Sequence, residues 1–194
     1  MYQIKGNIFY NIEYIFIYKF KGDIFMKIKL VLLHPDMEER IYKFIGESPD
    51  LPSIFTLVDN DFIKTVKTYY DHSHGIDLPD NYVPYTVFYA IDIESGNIVG
   101  QISIRHKLNT SLKFRGGHIG YYVSPKYRNM GIGTQMLSKS IEYCKYIHLD
   151  KVLVTCDEKN IGSNQIILHN HGILDSKGLD LDEIRFNRYW IDVV

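Results

Sequence analysis

The chain has 194 residues, enough for one domain with one substantial core, and its hydrophobic content of 45% is ordinary for a globular protein. A formal charge of −1, with Lys and Arg scattered rather than clustered, leaves no basic footprint for nucleic acid. No apolar run is long enough to cross a membrane, and Cys144 and Cys156 lack metal-like spacing and read as buried thiols, so the expectation is a cytoplasmic protein with no nucleic-acid or membrane partner and no metal.

Residues 1–25 are dense in Ile, Tyr, Phe, Asn and Lys without a helical or strand period, and they lack the order of a secretory signal. Met26 is expected as the natural start, with 1–25 an upstream extension and 26–194 a single domain; an extra edge strand or an oligomer arm is the alternative. Residues 26–33 read as a first strand. His34 to Gly46 carries helix signals, with acids in its first turn and a glycine just past its end. Residues 53–70 form a second helical pattern with Phe55, Val58, Phe62, Ile63 and Val66 on one face, and 71–84 a loop broken by Gly75, Pro79 and Pro84. Residues 85–91 and 97–105 read as a hairpin around Glu94-Ser95-Gly96-Asn97, and 107–117 as a loop. A strand follows at 118–123, with Gly120 marking a bulge or a close backbone approach. A long amphipathic helix covers 135–147, a short buried strand 151–156, a helix opening at Asn160 ends at Asn170-His171-Gly172, and 188–192 closes the chain as a strand.

The most informative segment is Arg128-Asn129-Met130-Gly131-Ile132-Gly133-Thr134, between a strand and the long helix. Glycines there let main-chain N–H groups approach an anion, the helix start contributes roughly half a positive charge, and Arg128 contributes a full one. The third glycine of a dinucleotide fingerprint is replaced by Met136, and the lysine of a nucleoside-triphosphate loop is missing before Thr134. What remains is R-x-x-G-x-G at a helix start, a place for a pyrophosphate.

That motif resembles the acyl-coenzyme A loop of the GNAT superfamily of N-acetyltransferases, whose pattern is Q/R-x-x-G-x-G/A. The order of elements over about 26–194, Asn160-x-x-Ser163 after the fifth strand, and Arg188-Tyr189-Trp190-Ile191-Asp192 at the end are similar to a bacterial subgroup of predicted acetyltransferases. The resemblance implies an α/β (α+β) fold with a central mixed, mostly antiparallel, twisted sheet of six to seven strands. It also implies a V-shaped splay between strands four and five, and about four flanking helices. It implies transfer of acetyl from acetyl-coenzyme A (acetyl-CoA), as cosubstrate, to a primary amine of a small molecule or peptide by direct attack. The alternative is a non-catalytic acyl-CoA-binding sensor or interaction module. A homodimer is common in the superfamily.

On this resemblance the main chain of Tyr121, Tyr122 and Val123 pairs with the pantetheine arm, and one N–H polarises the thioester oxygen. Residues Arg128, Asn129, Met130, Gly131, Ile132, Gly133 and Thr134 hold the pyrophosphate, while Asn160 and Ser163 meet the arm near the fifth strand. The first helices and the following loop form the acceptor side. Many members place a tyrosine acid where this chain has Ile167; His169 lies roughly 200° further round the helix, so water or Ser163 is left as proton relay. His118 is the candidate general base, with a backbone-bonded loop-edge histidine as the other reading, and His106 stands second. His72-Ser73-His74 reads as a solvated loop and His169-Asn170-His171-Gly172 as a helix end.

Overall fold

The computed structural model describes residues 26–194, so the expectations for residues 1–25 lie outside the described residues. In chain order the elements are β1 (Ile28–Leu32), α1 (Glu38–Gly46), α2 (Phe62–Ser73), β2 (Tyr85–Asp92), β3 (Ile98–Arg105), α3 (Thr110–Phe114), β4 (Ile119–Val123), α4 (Ile132–Tyr146), β5 (Lys151–Asp157), α5 (Ile161–His169), β6 (Ile173–Leu179) and β7 (Arg185–Asp192). β1-β2-β3-β4 form one antiparallel sheet, and β5-β7-β6 form another with β7 in the middle. The seven strands therefore divide between β4 and β5, where the splay was expected.

Two apolar clusters cover the two faces of the larger sheet. Strand alternation sends Phe88, Ala90, Ile102, Ile104 and Ile119 into a cluster with Met136 and Leu137 of α4 and Ile167 of α5. Val87, Tyr89, Ile91 and Tyr122 point the other way, against Ile41 and Phe44 of α1 and Phe62 and Tyr69 of α2. Tyr121 and Val123 pack on the α4 side, so β4 presents neighbouring residues to opposite layers.

Three expectations need correction. Residues 53–70 are not one helix: Asp59 and Asn60 take positive φ of 50° and 56°, and Asp61 starts α2 afresh by accepting the Lys64 N–H at 2.9 Å. Ile63, expected on the buried face, is 60% exposed. Gly120 causes no bulge, because the β3–β4 register is continuous through it, and a Cβ there would meet only ordinary contacts from 3.8 Å. Two elements were not foreseen, α3 and β6. The burial pattern of β6 alternates only weakly, and as the sheet's edge it follows packing on β7 rather than its own periodicity.

One end of the split is pinned. The His118 N–H donates to Leu153 O at 2.7 Å, and the Leu153 N–H donates to His118 Nδ1 at 2.9 Å. Gly116 adds an N–H to Thr155 Oγ1 at 2.9 Å. Beyond this crossing β4 pairs with β3 and β5 with β7, and no ladder joins β4 to β5.

Candidate active site

Tyr127 closes a 3-10 turn, and the chain then takes a positive φ at Asn129 (62°) and at Gly131 (73°), which caps α4. The left-handed cap suits glycine because it has no Cβ to clash with the carbonyl. The first closing bond of α4 runs from Gln135 N to Gly131 O at 3.1 Å. The N–H groups of residues 129–134 consequently have no hydrogen-bond partner among the described residues. Met130 is exposed, whereas the Ile132 side chain is buried in the core and leaves only its main chain to the loop. Gly133 lets α5 approach: a Cβ there would stand 2.4 Å from Ile166 Cδ1. The Thr134 carbonyl is taken by Asn170 Nδ2 at 3.2 Å, while its N–H stays open.

The edge of β4 can be read from its pairing. Arg105 N to His118 O at 2.7 Å and Ser124 N to Val99 O at 3.0 Å set the alternation of the β3–β4 ladder. The main chain of Gly120 and Tyr122 therefore faces β3, and that of Tyr121 and Val123 faces the gap. Of the three residues expected to hold a pantetheine arm, Tyr122 is corrected: its main chain is committed to Gln101, and its hydroxyl donates to Asp50 Oδ1 at 2.6 Å.

Arg128 makes two hydrogen bonds within the protein. Its Nε donates to Val123 O at 3.0 Å, and an Nη donates to Asp50 Oδ2 at 2.6 Å. The Tyr122 hydroxyl and then the Arg128 guanidinium hold the Asp50 carboxyl below its ordinary range. Sequence reading missed Asp50, which sits in a polar loop and belongs to no motif.

At the start of α5, Asn160 is a cap: its Oδ1 accepts the Ser163 N–H at 3.0 Å. The Asn-x-x-Ser spacing thus builds the helix start first of all. Ser163 O receives the Tyr121 hydroxyl at 3.4 Å, which links β4 to α5 across the gap. Burial pushes Tyr121 up to about 12, and burial followed by Asp157 pushes the Cys156 thiol up to about 11. The Ser163 side chain also hydrogen-bonds the Tyr121 hydroxyl, which offsets part of the upward shift of that tyrosine. Ile167 is completely buried in the core, so the position cannot serve as an acid.

His118 is not placed as a base. It is 6% exposed, and Nδ1, the one lone pair of the neutral ring when Nε2 carries the proton, accepts from Leu153. Burial, then the Arg105 charge, push its pKa down to about 4. The backbone-bonded reading of this residue is the one that fits. His106 is bonded to Thr86 Oγ1 through Nε2 at 2.8 Å, and burial lowers its pKa too. His72 Nδ1 pairs with the Tyr85 hydroxyl at 2.9 Å. Among the described residues no group of three potential ligands converges on a metal site, and no helix is long and apolar enough to cross a membrane.

The chain was compared with known proteins. The Acetyltransferase (GNAT) family matches residues 51–172. No curated protein sequence matches the chain. Among solved structures, ribosomal-protein-S5-alanine acetyltransferase from Vibrio fischeri is similar, with TM-score 0.65, 13% identity, 88% of this chain and 97% of that chain covered. The microcin C7 self-immunity acetyltransferase MccE, in complex with acetyl-CoA and AMP, is similar with TM-score 0.61, 18% identity, 86% of this chain and 92% of that chain covered. At these identities the two structures speak for the fold. The family match spans more than half of the chain, on a fold whose sheet divides beside a helix start of unbonded amides: the protein belongs to the GNAT acetyltransferase family and is an acyltransferase.

Proposed function

We propose that this protein is an N-acetyltransferase that moves the acetyl group of acetyl-CoA directly onto a primary amine of a small molecule or peptide. The observation that carries this reading is the run of unbonded N–H groups at 129–134, beside the gap-facing main chain of Tyr121 and Val123. Those amides and the α4 dipole suit a diphosphate. The free edge of β4 suits an amide-bearing arm that adds itself as a strand. Asn160 and Ser163 stand at the start of α5, where such an arm would leave β5.

Acetyl-CoA supplies an already reactive thioester, so no covalent enzyme intermediate is needed. The chain holds that carbonyl against an amine, an effect worth up to several kcal/mol through proximity and orientation. A main-chain N–H of Tyr121 or Val123 stabilises the developing oxyanion. The Ser163 hydroxyl, or water through it, returns a proton to the departing thiolate. With His118 occupied, no imidazole removes the amine's proton; the amine arrives neutral, and the rate climbs with pH along the acceptor's own titration.

The test is calorimetric titration with acetyl-CoA, followed by thiol release across a panel of amines that includes polyamines, amino acids, amino sugars and peptide N-termini. Binding without an amine and thiol release with at least one amine are expected. Absence of any heat on adding acetyl-CoA overturns the reading.

A further inference from the structure

Arg128 bridges three groups from two parts of the molecule, the end of β4 and the loop after α1. It bonds Val123 O and Asp50, and its guanidinium carbon lies 5.5 Å from the centre of the Tyr122 ring. Asp50 completes the cluster by accepting from Tyr122 as well as from Arg128, each at 2.6 Å. The carboxylate comes from the loop between α1 and α2, and its partners from the end of β4 and the loop before α4. The Arg128–Asp50 bond thus straps one side of the sheet to the other. It also covers Val123 O, a carbonyl on the gap-facing edge of β4, and neutralises the Arg128 charge with a carboxylate.

We propose that Asp50 is a positioning residue that competes with the donor's diphosphate for Arg128. On donor binding the guanidinium passes from Asp50 to the diphosphate, Val123 O is uncovered, and the loop at 47–52 is loosened to its Tyr122 tether. This inference rests on reading 129–134 as the diphosphate cradle. The exchange is physically easy. Both partners are about half exposed, at 43% and 52% of their side chains, and an exposed ion pair is weak and screened by salt. A diphosphate offers more charge than one carboxylate, and the planar fork of arginine suits either partner. A carboxylate left in place would instead repel the incoming phosphates.

The experiment compares wild type with Asp50→Asn, a substitution that keeps the shape and lets the Tyr122 hydroxyl still find an oxygen. Calorimetry is run with acetyl-CoA and with acetylpantetheine, which lacks the diphosphate. Asp50→Asn is expected to bind acetyl-CoA about two- to fivefold more tightly, the worth of one exposed ion pair, with acetylpantetheine unchanged. In wild type, acetyl-CoA should speed deuterium exchange at the Leu51 N–H, which bonds Ser48 O at 3.0 Å. Equal or weaker acetyl-CoA binding by Asp50→Asn, with wild type binding normally, overturns the inference and leaves the cradle reading standing. The same gain with both ligands overturns it too, since diphosphate competition is then not the cause. Failure of wild type to bind acetyl-CoA removes the cradle reading and this inference together.

Discussion

At the 118/153 crossing the main chain of β4 and β5 is held by His118, which gives its N–H to Leu153 O and takes the Leu153 N–H on its ring. A few residues on, Tyr121 and Val123 turn their main chain toward the gap, and at 129–134 the chain leaves its N–H groups unbonded. The same strand is thus satisfied at one end and unsatisfied at the other. Buried or half-buried main chain without a partner is costly, so such a run persists where a ligand or water completes it. The pinned end supplies rigidity, and the open end is where the proposed function puts binding.

The sharpest way to break this contrast is at the open end. Arg128→Glu puts a second carboxylate beside Asp50 at the lip of the cradle, and acetyl-CoA affinity should fall by about a hundredfold or more, the cost of exchanging a paired charge for a repelled one. Calorimetry with folding checked by circular dichroism measures it. Near-normal affinity in a folded variant would mean that the anion does not bind there.

At the pinned end the expected loss is in stability rather than binding. His118→Ala leaves the Leu153 N–H buried without its partner and removes a packed ring, a cost of about 2–4 kcal/mol in urea unfolding. Where the variant remains folded, its rate should keep the wild-type pH profile; a lost limb near neutrality would restore His118 as a base. The same residue sets an acid limit. Its folded pKa of about 4 lies below the ordinary 6.5, so the unfolded chain takes up the proton first as pH falls. The contribution is complete above pH 6.5 and is lost as pH drops toward 4, amounting to up to about 3 kcal/mol. His118→Gln, which can still accept from Leu153, should flatten that acid limb of the stability curve.

The smallest effect belongs to Ser163→Ala. With water able to protonate the thiolate, the turnover rate should fall by about tenfold at most, with little change in the KM for acetyl-CoA. A loss within the usual range of general acid catalysis, about 10²- to 10⁴-fold, would make the hydroxyl the obligatory donor rather than a relay.

Much of the fold was legible because it is written in short-range patterns. The β2–β3 hairpin, the α4 stripe and the helix opening at Asn160 appeared close to where periodicity and turn chemistry put them. The break at Asp59 and Asn60 was missed because apolar residues on both sides keep a helical spacing while two positive φ angles stop the helix. β6 was missed because an edge strand needs only one neighbour, β7, and its own side chains are mostly in solvent.

By itself the sequence determined the local chemistry of the loop at 128–134. A left-handed cap at Gly131, orphan amides and a helix start all follow from residues adjacent in the chain, where backbone sterics act. Only the tertiary structure decided the fates of His118, Tyr122 and Arg128. Their partners are Leu153, Gln101 and Asp50, the last of them 78 residues away from Arg128. Whether a lone pair, a strand edge or a positive charge is free to act depends on what packs against it, and no periodicity along the chain records that.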